Sequence, residues 1–264
     1  MRAAGGAEAA RAGGLRSRDI VLVVARGCVS VLALWQGAVL ILDPPRYLLP
    51  SPLAVGRTLV ERFSMLWPEA LLTLGEAGLG LVIGSLAGAL SGLLVVALPR
   101  VGALAWPVLL VLQALPVFAI APILVLWFGF GVASKVAMAA LILFFPVASA
   151  FADGLRRIER DVVDAAALAG ATPFQTLRLL RVPLAMPALV SGLRVAAPLA
   201  PLGAVVGEWV GATGGLGFLM IQANARMQTD VLFAALVLLA LMTLALRALV
   251  DALAHRLAPW ARTV

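Results

Sequence analysis

Long apolar tracts separated by short polar breaks run through most of the chain. Ile20 to Leu42 is a run of about 23 residues, enough to cross ~30 Å of hydrocarbon at a rise of ~1.5 Å per residue. It is longer than the roughly 7–15 apolar residues of a cleavable leader, so it is expected to stay as a first span. Comparable tracts are Glu69 to Leu98, Ala103 to Phe128, Val132 to Ala152, Leu184 to Val206 and Val231 to Leu253. The pattern predicts an all-α integral membrane protein with six transmembrane helices. Between the first two tracts, Ser51-Pro52 signals a helix start, and Leu53, Leu59, Val60 and Phe63 with Arg57/Glu61 predict a short helix lying along the surface.

The pattern is interrupted by a charged island from Asp153 to Pro187. Asp153, Arg156, Arg157, Glu159, Arg160, Asp161 and Asp164 crowd together there. At roughly 3 kcal/mol per charge, burying them at bilayer depth would cost on the order of 20 kcal/mol, so the island lies in water. Its arginines, continuing with Arg178 and Arg181, put it on the cytoplasmic side by the positive-inside rule. Six spans then place both termini inside, where Arg247, Arg256 and Arg262 also fall.

Within the island two short helices meet at a bend. Asp161 to Ala169 favours helix, and Gly170 can adopt the left-handed conformation that ends one. Thr172 then offers an N-cap, Pro173 fits a first turn and Gln175 completes a capping box. Phe174, Leu177 and Leu180 recur at helical spacing, and Pro183 is expected to stop the run. An ordinary loop between two spans would need neither the bend nor this Gly-to-Pro spacing.

These residues carry a resemblance. Asp164-Ala165-Ala166, Gly170, Leu180 and Val182-Pro183 resemble the "EAA" loop of bacterial ABC importer permeases, with Asp in place of the usual Glu. The resemblance implies the six-helix type I importer architecture. It implies that Asp164, Ala165, Ala166, Gly170, Thr172 and Pro183 form a coupling helix seated on a separate ATPase. It further implies a homodimer with a cytoplasmic ABC ATPase dimer and a periplasmic or lipid-anchored substrate-binding protein, in the bacterial inner membrane. The tail would be residues 1–18, the first span and outer connection 19–68, the permease core 69–256 with its loop at 153–183, and the cytoplasmic C-terminus 257–264.

Composition sharpens the picture by exclusion. Of 264 residues 63% are hydrophobic and 12% charged, with mean hydropathy +1.07, far more apolar surface than a soluble core would use. The net charge of +7 follows membrane topology rather than nucleic acid. One cysteine, Cys28, and one histidine, His255, exclude disulfide frameworks and multi-His or multi-Cys metal sites. Lys135, the only lysine, lacks P-loop flanks. The chain is therefore expected to be no enzyme and to carry no cofactor, with ATP and Mg on the partner ATPase.

Candidate pathway residues lie inside the spans. Gly80, Gly84 and Gly88 repeat a GxxxG pattern that suits close helix packing. Glu76 is an intramembrane acid: a functional candidate by default, or a carboxylate bonded to a neighbouring helix. Gln113 and Pro116 stand in the third tract with Pro107 and Pro122. Glycines at 203, 207, 211, 214, 215 and 217 predict a broken helix and re-entrant turn. There Glu208 and Trp209, with Gly215, would offer one acceptor and one aromatic face to a heteroaromatic or cationic solute, or else be a solvated acid beside an interfacial ring.

The stretch from Gly192 to Leu236 resembles permeases for the pyrimidine precursor of thiamine, and Leu115 to Gly131 those for nitrate, sulfonates and taurine. Best expected is import of a hydroxymethylpyrimidine-type solute; nitrate, sulfonate or taurine import is the alternative within the family. An ion-coupled secondary transporter is the alternative outside it.

Overall fold

A computed structural model of the protein describes residues 17–260. Residues 1–16 of the expected tail and the last four residues lie outside the described residues, while Ser17 and Arg18 belong to the first helix. Everything regular within them is helical: α1 (Ser17–Leu42), α2 (Pro52–Glu61), α3 (Phe63–Ala97), α4 (Pro99–Ala114), α5 (Val117–Phe128), α6 (Val132–Arg156), α7 (Arg160–Leu168), α8 (Pro173–Gln175), α9 (Val182–Gly211), α10 (Leu216–Ala225) and α11 (Thr229–Leu257). By length and apolarity α3, α6, the stretch Pro173–Gly211 and α11 can each cross a membrane.

The centre of the bundle is α6, held between α3 and α9 by small residues. Gly80, Gly84, Gly88 and Gly92 recur every four residues, so they share one face of α3, and that face lies on α6. A Cβ on Gly84 would sit 2.6 Å from the Ala140 carbonyl oxygen, and one on Gly92 2.8 Å from that of Ala148. On the other side of α6, a Cβ on Gly203 would meet Ala139 Cα at 2.7 Å, and one on Gly207 would meet Lys135 Cα at 2.9 Å. Backbones this close gain dispersion contacts that a lipid tail cannot supply. Around the seam Ala77, Leu143, Val147, Ala196, Ala197, Ala200 and Leu246 form one buried cluster.

Local signals explain the smaller elements. The Ser51 hydroxyl accepts from Ala54 N at 3.2 Å and Pro52 opens α2, as the sequence predicts. The Trp35 indole donates to the Pro50 carbonyl at 3.0 Å and its ring packs on Phe233, linking α1 and the connection after it to α11.

Two expectations need correction. The third tract is not one helix: α4 ends at Ala114, Pro116 is extended (ψ 118°), and α5 starts at Val117. Proline disfavours helical geometry in the residue before it, so the break falls at Leu115-Pro116, while Pro107 and Pro122 stay inside helices. Nor does Pro183 stop the island run of Phe174, Leu177 and Leu180 before the fifth tract. The helix runs on from Pro173 to Gly211. A π-helical turn, Thr176–Arg181, precedes the proline, with Val182 N donating to Leu177 O five residues back. The widened turn shifts the bonding register where Pro183 has no N–H to give.

Candidate functional site

At one end of the bundle, the loop end, α6 closes at Arg156 and the chain turns through α7 into α8. The end of α7 is a complete Schellman motif. Gly170, at φ +81°, sends its N–H to Ala167 O at 2.9 Å, and Ala171 N reaches Ala166 O at 3.0 Å. Thr172 follows as N-cap in a reciprocal box: Gln175 N donates to the Thr172 hydroxyl at 3.3 Å and Thr172 N to Gln175 Oε1 at 2.8 Å. The bend expected from sequence is there, residue for residue. Asp164, Ala165, Gly170 and Thr172 are exposed, whereas Ala166 and Pro183 are half-buried. Leu168 is 91% exposed, and Phe174 and Leu179 stand out beside it. Between the loop and the α3–α4 junction opens a cleft of about 430 Å³ lined by Val96, Pro99, Val163, Ala167, Thr176 and Leu177.

At the far end, α9 breaks at Gly211 and α10 starts at Leu216. Each helix terminus exposes unpaired backbone groups, and the fold answers with charge of the matching sign. The Lys135 ammonium, only 1% exposed, donates to the Gly211 carbonyl at 2.8 Å and to the Phe130 carbonyl. It thereby caps the C-terminus of α9 and ties it to the α5–α6 turn. At the start of α10, Gly215 N donates to Glu69 Oε2, Leu216 N to the Thr73 hydroxyl at 2.8 Å, and Gly217 N to Glu208 Oε2. The Thr73 hydroxyl in turn donates to Glu208 Oε1 at 2.6 Å. Gly215, at φ +101°, lies so close to the Glu208 carboxylate that a side chain there has no room.

Glu76, 3% exposed, stands on the same face of α3, in electrostatic reach of Glu208 and Lys135, and its Oε2 has no hydrogen-bond partner.

The structure thus brings Glu76, Glu208 and Gly215 together. Glu208, 1% exposed, is not the solvated acid of the alternative reading: it bonds to Thr73 on a neighbouring helix and to the start of α10. Trp209, one residue on, is 44% exposed and stacks on Phe118 with ring centroids 6.4 Å apart. Gln113 and Pro116 are exposed on the α4–α5 segment, outside the buried cluster. Sequence reasoning missed Glu69, Thr73 and Lys135 as members. The signal was present: Glu69, Thr73 and Glu76 are spaced i, i+4, i+7 on one helix face, and Lys135 is a lone cation in an apolar tract.

It also missed Arg194. Its Nε donates to Asp251 Oδ1 at 2.8 Å, Arg247 Nε donates to Asp251 Oδ2 at 2.9 Å, and Arg247 Nη1 reaches the Arg194 carbonyl at 2.6 Å, pinning α9 to α11. Because Asp251 is 41% exposed, solvent screens the pair. Asp251→Ala is expected to lower the melting midpoint of the purified permease by only a few degrees, about 1 kcal/mol. Asp251→Ala with Arg194→Met should cost less than the sum of the two, which thermal unfolding in detergent would check.

A helical bundle with a small-residue seam, a broken helix at one end and a capped polar elbow at the other defines a membrane permease. Residues 80–263 match the family model described as binding-protein-dependent transport system inner membrane component, and the chain belongs to that family. It is 47% identical to a probable ABC transporter permease protein of Haemophilus influenzae, over 86% of this chain and 92% of the relative. It is 36% identical to the formylaminopyrimidine transport permease protein of Halalkalibacterium halodurans (87% and 92% covered). It is 38% identical to the riboflavin transport system permease protein of Chloroflexus aurantiacus (87% of each). Among solved structures, the MetNI methionine ABC transporter shares its fold, with TM-score 0.64 at 20% identity over 75% of this chain and 98% of that one. The protein is an ABC importer permease subunit, not an enzyme; ATP hydrolysis belongs to a separate subunit. The family assignment decides against an ion-coupled secondary transporter.

Proposed function

We propose that this permease imports a pyrimidine precursor of thiamine, of the hydroxymethylpyrimidine type. Near full-length likeness to a formylaminopyrimidine permease carries that reading. The riboflavin relative supports the broader class, a flat nitrogen heterocycle. The exposed Trp209 and Phe118 rings suit such a solute. Glu76 and Glu208, being closed inside the bundle, carry no argument about solute charge.

The loop end is cytoplasmic, by its arginines, and the far end faces outward. Two copies of the chain, in the cytoplasmic membrane, line one pathway, and each sets its α7–α8 elbow on an ATPase. Asp164 to Gly170 carry the force, and the uncovered Leu168, Phe174 and Leu179 supply the apolar contact. Closure of the ATPases draws the elbows together, shuts the inner gate and opens the outer one to a loaded binding protein. Labelled hydroxymethylpyrimidine should accumulate in cells expressing the complete transporter and not in cells lacking this chain. Accumulation of taurine or an aliphatic sulfonate in its place would overturn the substrate assignment in favour of the anion-importing branch.

A further inference from the structure

We propose that Lys135 positions the outer gate and that Glu76 is its second seat, taken when the gate opens. The inference goes beyond the choice of solute and rests on the orientation given above. In the observed arrangement two of the three ammonium donors are held by carbonyls of two turns, Phe130 between α5 and α6 and Gly211 at the end of α9. Both turns are glycine-rich: Gly129, at φ +77°, and Gly131 flank the first acceptor, while Gly214 and Gly215 follow the second. These backbone segments can move, but the ammonium cannot follow them into water, because the Lys135 stem is packed against α9 at Gly207.

A turn that swings outward would strand a buried cation, which is strongly destabilising unless another acceptor is at hand. The acids in electrostatic reach of Lys135 are Glu76 and Glu208, with Glu69 on the same face of α3 as Glu76. Glu208 has both oxygens occupied, by the Thr73 hydroxyl and by Gly217 N, and Glu69 holds Gly215 N. Glu76 shares a side-chain hydrogen bond with Glu208, yet its buried Oε2 has no partner, and it presents that oxygen from the middle of α3, which the glycine seam fixes against the helix that carries Lys135. The unfilled acceptor makes sense as a place the cation occupies in the other gate state, so that opening exchanges one partner for another.

Glu76→Gln keeps the shape and removes the carboxyl that would pair with the ammonium. In the complete transporter with its ATPase and loaded binding protein, maximal ATP-driven uptake should fall about tenfold or more, with the half-saturating concentration of binding protein unchanged. Binding-protein-stimulated ATP hydrolysis should fall in parallel, a readout that does not depend on which solute is bound. Glu76→Asp should recover part of the rate, and the defect of Lys135→Met combined with Glu76→Gln should be clearly smaller than the product of the two single defects. Wild-type rates in Glu76→Gln, multiplied defects in the double variant, or a raised half-saturation at unchanged maximal rate would each overturn the proposal. If Glu76→Gln does not assemble, the double variant is compared with Lys135→Met alone: assembly no worse than that of Lys135→Met supports the pairing, and a further loss overturns it.

Discussion

A Gly170→Val permease is expected to reach the membrane in wild-type amount and yet lose ATP-driven uptake by about tenfold or more. The residue sits at φ +81°, where an L side chain costs roughly 1–2 kcal/mol and a β-branched one more. A Cβ there would meet nothing within 4 Å, so the penalty is entirely in the backbone and no neighbouring side chain can relieve it. Relief comes only by breaking the paired bonds from Gly170 N and Ala171 N that end α7. Once they break, the angle between α7 and the Thr172-capped start of α8 is no longer set. The core of the bundle is untouched, because the elbow is exposed and lies outside the α3–α6–α9 seam. Asn visits the left-handed region more readily, so Gly170→Asn should keep more of the activity. Uptake and stimulated ATP hydrolysis in proteoliposomes separate the outcomes, and full uptake by the valine variant would remove the elbow from the coupling path.

The elbow was legible in the sequence because every signal that builds it is local. A glycine that ends one helix and a Thr-Pro-Phe-Gln box that starts the next need nothing from the rest of the chain, and the structure reproduces both. Apolar length was legible for the same reason. The misread positions are those where proline meets tertiary context. Sequence spacing cannot foretell that a π turn carries the helix past Pro183, or that of three prolines in the third tract only Pro116 breaks it. The cluster at the far end was half legible. Glu76 and Glu208 stood out as acids in apolar surroundings, but their partners come from segments 59 to 135 residues away or are backbone groups. A helix cap assembled across that distance leaves no local trace beyond the i, i+4, i+7 pattern on α3.

Gly84→Leu is expected to keep the permease from accumulating as a folded complex, while Gly75→Leu, nine residues earlier on the same helix, accumulates normally. The two changes add the same apolar side chain to the same hydrophobic span, so membrane insertion is favoured alike and only packing distinguishes them. At Gly75 the added Cβ finds no atom within 4 Å. At Gly84 it falls 2.6 Å from the Ala140 carbonyl oxygen and 3.0 Å from Leu143 Cβ. The oxygen belongs to the helical backbone, so α6 as a whole would have to retreat. It cannot do so freely: Gly203 and Gly207 bring α9 equally close on its other side, and the shift would also drag Lys135 from the Gly211 carbonyl. Overpacking at one core site costs about 1–3 kcal/mol when side chains can adjust. Here backbone must move on two interfaces, so the cost should exceed that range and approach the whole of a marginal stability of roughly 5–15 kcal/mol. Yield and monodispersity after detergent extraction provide the comparison. Equal yields would mean that the glycine face of α3 does not hold α6, and that the seam is not what keeps the two ends of the bundle in register.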